Sequence, residues 1–123
     1  MSSELILLVD DEPSIVQLAR MYLERENFRV ETAGDGEAAL EAVRRLSPQL
    51  VVLDVMLPKL DGLEAIRQMR ADPVLISTPI LALTARAMPG DRERCLDAGA
   101  NDYLSKPVNL KEFVSAVRRL VKA

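Results

Sequence analysis

Apolar residues follow two kinds of pattern along this chain. Three short runs are continuous: Leu5 to Val9, Leu50 to Leu53 and Ile80 to Leu83. Unbroken apolarity of this length suits strands buried on both faces, and therefore a parallel sheet. Two weaker runs, Phe28 to Thr32 and Asp102 to Leu104, predict shorter or edge strands. Between the runs the period lengthens to that of a helix. Ile15, Leu18, Ala19, Tyr22 and Leu23 fall on one helical face, as do Ala39, Ala42, Val43 and Leu46. Leu63, Ile66 and Met69 form a shorter face, Asp91 to Ala98 a further helix, and Leu110, Phe113, Val114, Val117 and Val121 the last one.

Turn and cap residues agree with these boundaries. Pro13 sits where the first turn of a helix tolerates it. Ser47-Pro48 stops the second helix, and Asp72-Pro73 ends the third. Asp61-Gly62 reads as a helix start with Asp as N-cap, and Gly99 as a left-handed C-cap. The predicted order is strand then helix, five times over, with short connections. That alternation predicts an α/β fold, doubly wound with right-handed crossovers and helices on both faces. The common strand order for five such strands is 2-1-3-4-5, and ligands then bind beyond the carboxyl ends of strands 1 and 3. With no repeat, linker or low-complexity stretch, a single domain is expected over 1–123.

Composition narrows the chemistry. The chain has 123 residues, enough for a core without staples, and one cysteine, Cys95, so no internal disulfide. Its expected role is that of a small buried hydrophobe. Histidine is absent, which excludes a His base, a His-ligated metal and a phosphohistidine in this chain. The formal net charge of −3 argues against direct nucleic-acid binding. No apolar run approaches the roughly 18 residues a membrane span requires. Glu4 stands where a signal peptide would be basic, so a cytoplasmic location is expected.

The predicted strand ends carry the candidate chemistry. Strand 1 ends in Asp10-Asp11 and strand 3 in Asp54; if these strands are neighbours, three carboxylates meet. At about 5 Å each like-charged pair repels by roughly 3 kcal/mol at an effective dielectric of about 20, so the cluster calls for a cation or for shifted pKa values. With only oxygen ligands on offer, Mg²⁺ fits best. Strand 4 ends in Thr84, whose hydroxyl can donate to an oxyanion, and strand 5 leads into Ser105-Lys106-Pro107, where Lys106 supplies a compact cation. Each residue alone has an ordinary reading too. Asp10-Asp11 could serve as an N-cap before Pro13, Asp54 as a turn aspartate, Thr84 as a turn hydroxyl and Lys106 as a solvated lysine.

Four stretches in order carry a family resemblance: Val9-Asp10-Asp11-Glu12-Pro13, Asp54 to Gly62 (DVMLPKLDG), Leu83-Thr84-Ala85, and Gly99 to Pro107 (GANDYLSKP). Over its whole length the chain resembles a receiver domain of two-component response regulators, the CheY-like superfamily with a flavodoxin-like fold. The resemblance implies that Asp54 is the phosphoacceptor, taking a phosphoryl group from a phosphohistidine of a histidine kinase or histidine phosphotransfer protein. It implies Mg²⁺ held by Asp11, Asp54 and the Met56 carbonyl, with Asp10 acting through water. Lys106 and Thr84 would contact phosphoryl oxygens, with backbone donors after Asp54 and at Ala85. A cis peptide before Pro107 is implied as well. Thr84 and Tyr103 would form the switch, changing the face of helix 4, strand 5 and helix 5 that meets a downstream protein. Met56 and Arg86 would flank the attacking water and set the lifetime of the acyl phosphate.

The resemblance further implies a signalling domain rather than an enzyme with an external product, monomeric or weakly dimeric on phosphorylation. A regulator acting alone is expected; the alternative is a receiver from a hybrid kinase or multidomain regulator. Winged-helix transcription factors of the family carry arginine where Ala116 stands, which weighs against that subclass. An aspartate-nucleophile phosphatase of the haloacid-dehalogenase type would need a second Asp where Met56 stands.

Overall fold

The computed structural model describes residues 4–55, 62–84, 90–105 and 109–122. Five strands alternate with five helices: β1 (Leu5–Val9), α1 (Pro13–Arg25), β2 (Arg29–Ala33), α2 (Gly36–Leu46), β3 (Leu50–Asp54), α3 (Gly62–Ala71), β4 (Ile80–Thr84), α4 (Asp91–Ala98), β5 (Asp102–Ser105) and α5 (Leu110–Lys122). All strand pairs are parallel, and the sheet order is β2-β1-β3-β4-β5, as the alternation predicts.

Successive residues of each strand point to opposite faces, so the sheet carries two cores. On one face Leu7, Val9, Val51, Leu53, Ile80 and Ala82 meet α2, α3 and α4 through residues such as Val43, Ile66, Met69 and Cys95. On the other, Ile6, Leu8, Leu50, Val52, Leu81 and Leu83 meet α1 and α5 through Leu23, Phe113, Val117 and Leu120. Every residue of β1, β3 and β4 is buried. The edge strand β2 buries only Val30.

Helix ends follow the cap chemistry of the sequence. Pro13 opens α1, and Ser47 ends α2 in the left-handed region at φ 47°. Asp35 caps α2 by accepting from the Ala38 amide at 2.8 Å. Gly99 ends α4 at φ 126°, and its amide reaches the Cys95 and Leu96 carbonyls. The Asp61 cap lies outside the described residues.

Two expectations shift, and one core residue has no sequence signal. Leu18 is 45% exposed, because α1 covers the sheet with Ala19 and Leu23 and turns Leu18 and Met21 outward. β2 begins at Arg29, not Phe28; the Phe28 amide instead closes the turn onto the Leu23 carbonyl at 3.1 Å, and its ring enters the core. Leu75, isolated in a turn and without periodicity, is a core residue with 2% exposure.

Candidate functional site

The sheet register brings the acids together. Val9 pairs with Leu53, so the residues that follow them, Asp10 and Asp54, stand abreast at the carboxyl edge. Asp54 pairs in turn with Leu83, which puts Thr84 one step further along that edge. One carboxylate oxygen from each of Asp10, Asp11 and Asp54 lies within 4.8 Å of the others. Asp10, Asp54 and Thr84 are each only 3% exposed, whereas Asp11 faces solvent.

Backbone contacts hold this edge in place. The Asp10 amide donates to the Ala33 carbonyl at 3.2 Å, anchoring the strand end to β2. Asp10 Oδ1 accepts from the Glu12 amide at 3.0 Å, a local turn that leads the chain into α1. The N-cap reading of Asp10-Asp11 therefore gives way: Glu12 holds that position, without a side-chain cap bond. Beyond Asp54, the Val55 amide donates to the Leu83 carbonyl at 2.9 Å and the Gly62 amide to the Val55 carbonyl at 3.3 Å.

In the sequence Gly62 follows a predicted cap and closes the stretch DVMLPKLDG, and neither feature shows why glycine is needed there. A Cβ there would sit 2.4 Å from Val55 Cα and 2.9 Å from the Asp54 carbonyl oxygen. Only glycine lets α3 start this close to the end of β3.

Tyr103 is half-buried on β5 and packs against the core on the α4 side. Burial raises its phenol pKa, and the nearby Cys95 and Glu93 push the same way. Cys95 is buried as expected, and burial raises its thiol pKa against a lowering pull from Arg94. Met56, Ala85, Arg86, Lys106 and Pro107 lie outside the described residues.

What this edge can do follows from its donor set. Three carboxylates, two of them withdrawn from water, offer hard oxygen ligands and no nitrogen or sulfur. That set fits a hard divalent cation of the Mg²⁺ kind. A buried carboxylate beside such an ion, with a threonine hydroxyl next to it, suits phosphoryl chemistry.

The comparisons with known proteins agree with this geometry. The family profile of the response regulator receiver domain matches residues 6–118. The chain belongs to the response regulator receiver family. The chain is 44% identical over 117 residues to the transcriptional regulatory protein TrcR of Mycobacterium tuberculosis, covering 95% of this chain and 45% of that protein. It is 45% identical over 117 residues to the alkaline phosphatase synthesis transcriptional regulatory protein PhoP of Bacillus subtilis, covering 95% and 48%. The chain thus spans about half the length of these curated relatives. Among solved structures, the receiver domain of sensor histidine kinase PA1611 from Pseudomonas aeruginosa superposes with a TM-score of 0.91 at 38% identity, covering 99% of this chain and all of that one. That structure has a magnesium ion coordinated in its active site cleft. Ala116 weighs against the winged-helix transcription factors, yet TrcR and PhoP, which the chain resembles at this identity, are transcriptional regulatory proteins. Ala116 is itself buried in the α5 core, at 2% exposure.

Proposed function

We propose that this chain is a phosphoacceptor that signals by taking a phosphoryl group onto Asp54. The observation that carries the proposal is the register-driven meeting of Asp10, Asp11 and Asp54 within 4.8 Å, with Thr84 beside them. An Asp54 carboxylate oxygen attacks the phosphorus of a partner's phosphohistidine. The P–O bond forms as the P–N bond breaks, and the departing imidazole keeps the bond's electron pair. Asp11, Asp54 and the Met56 carbonyl would hold Mg²⁺, with Asp10 acting through water. The ion would offset charge between the attacking carboxylate and the phosphoryl oxygens. Thr84 donates to one phosphoryl oxygen and Lys106 to another. Thr84 and Tyr103 then bias the α4–β5–α5 face toward its partner-binding shape. Membership of the receiver family supports a histidine kinase or phosphotransfer protein as phosphodonor, and the donor histidine lies outside this chain, which has none.

The share of TrcR and PhoP that the chain spans favours a receiver working within a longer transcriptional regulator over one acting alone. Both are cytoplasmic readings. No helix among the described residues is long and apolar enough to cross a membrane.

Intact mass after incubation with acetyl phosphate tests the phosphoacceptor. One phosphoryl adduct that requires Mg²⁺ and is lost in Asp54→Asn supports it. An adduct that persists in Asp54→Asn refutes the assignment of the acceptor. An immunoblot of the producing cell separates the two contexts, since a longer regulator runs at about twice the mass of this chain.

A further inference from the structure

At the amino edge of the sheet, opposite the acids, one side chain gathers an unusual set of acceptors. Arg70, in the last turn of α3, sends Nε to the Gly99 carbonyl at 2.8 Å. Its Nη1 reaches the carbonyls of Leu75, Ile76 and Thr78 at 3.2, 3.1 and 2.8 Å. Its Nη2 donates to Asn101 Oδ1 at 2.8 Å. The same Asn101 oxygen accepts from the Ile80 amide at 2.8 Å, while the Asn101 amide donates to the Ile80 carbonyl at 2.8 Å. Asn101 therefore extends the β4–β5 pairing by one step, and Arg70 fastens that step to α3.

Gly99 is fitted to this arginine. Its φ of 126° disfavours any other residue, and a Cβ there would lie 2.4 Å from Arg70 Cγ. The planar fork of a guanidinium suits several fixed acceptors, which an ammonium on a flexible stem cannot match. The side chain stays charged at any working pH despite its partial burial.

Arg70 fastens the carboxyl end of α4 and the approach to β5, two elements of the face that the proposed switch reshapes. α4 is an eight-residue helix that buries only Asp91, Cys95 and Ala98, with left-handed glycines, Gly90 and Gly99, at its two ends. A short helix jointed at both ends and fastened at one moves most readily by pivoting on the fastened end. We propose that Arg70 clamps the carboxyl end of α4 and the amino end of β5. Residues 99–101 then become the fixed pivot about which α4 moves when Asp54 is loaded. Arg70 is a positioning residue here and takes no part in the chemistry. The proposal rests on the phosphoacceptor reading.

Amide hydrogen exchange on the whole chain tests it, with and without Mg²⁺ and beryllofluoride, a phosphoryl mimic, in wild type and Arg70→Lys. The wild type is expected to change exchange at Asp91 to Arg94 by about tenfold or more, with less than about a twofold change at Gly99, Ala100 and Asn101. In Arg70→Lys those three amides are expected to exchange about tenfold faster, and the beryllofluoride response to spread onto them. A wild-type response as large at residues 99–101 as at the start of α4 would overturn the pivot. An Arg70→Lys map identical to wild type would overturn the clamp. No change anywhere, the segment around Asp54 included, would refute the phosphoacceptor reading instead. Because the wild-type map alone can sink the pivot, a variant that folds poorly does not rescue it.

Discussion

Neutralising one acid of the cluster should stabilise the protein in the absence of divalent metal. Oxygens of Asp10, Asp11 and Asp54 lie within 4.8 Å of one another, and Asp10 and Asp54 are both 3% exposed. At that separation two charges repel by about 3.5 kcal/mol at an effective dielectric of about 20. The exposed Asp11 adds little, because water and salt screen it. Asp54 also makes contacts within the fold, and Asp54→Asn weakens them, so the net gain is about 2 kcal/mol. For a chain of this size that raises Tm by about 8 °C in EDTA. Mg²⁺ should act in the opposite sense. At a hundred times its Kd it stabilises the wild type by about 2.7 kcal/mol, but the Asn variant by well under half of that. Thermal melts of both proteins in EDTA and across a Mg²⁺ series measure all four quantities. An Asp54→Asn protein that melts at or below wild type in EDTA, and gains as much from Mg²⁺, would refute the idea of three repelling acids awaiting a cation.

Three other outcomes are expected. Gly62→Ala must push α3 away from the Asp54 carbonyl, where the added Cβ would approach to 2.9 Å. It should cost about 2 kcal/mol and weaken Mg²⁺ binding roughly tenfold, as read by calorimetric titration. Met69→Ala empties a fully buried position against α2, α4 and the sheet, so the urea midpoint should fall by more than about 1 M at unchanged m while Mg²⁺ affinity holds. Stability should be level near neutrality and decline above about pH 9. Burial raises the pKa of Cys95 and of Tyr103, so the native state keeps protons that the unfolded chain releases, and this contribution is lost as pH climbs through the folded values. Urea midpoints at rising pH check it, and Cys95→Ala should remove the earlier part of the decline.

Much of this architecture is legible in the sequence because a parallel sheet writes itself plainly. Strands buried on both faces must be apolar throughout, so Leu5 to Val9, Leu50 to Leu53 and Ile80 to Leu83 stand out without an alignment. Once they are neighbours, Asp10, Asp11, Asp54 and Thr84 must meet, since parallel strands end at one edge. Other features depend on tertiary context that local pattern does not carry. Leu18 fits the helical period of α1, but a helix beside an edge strand covers less of the sheet than its stripe allows. Leu75 is buried between exposed Val74 and Ile76, and one apolar residue in a turn has no period to reveal it. Arg70 reads as an ordinary basic residue in the last turn of a helix. Its acceptors come from two separate stretches of the chain, Leu75 to Thr78 and Gly99 to Asn101, that only the fold assembles. A sequence signal existed only at its partners, in a glycine followed two residues later by an asparagine at the start of β5.

The same parallel topology explains why the two edges of the sheet differ so sharply. Every strand delivers its last residue to the carboxyl edge, where Asp10, Asp54 and Thr84 sit in register beside exposed Asp11. That concentration of like charge opposes folding, and the two cores flanking the sheet must outweigh it. The arriving loops deliver their carbonyls to the amino edge, and such groups need donors once they are drawn inward. Arg70 meets that need with one cation, and in doing so fastens α3, the start of β4 and the start of β5 together. The acid edge thus gathers three carboxylates within 4.8 Å, while at the far edge Arg70 satisfies and braces the arriving carbonyls. In the proposed switch, a change at the acids is converted into movement of α4 rather than dissipated across the sheet, because Arg70 holds the sheet at its far end.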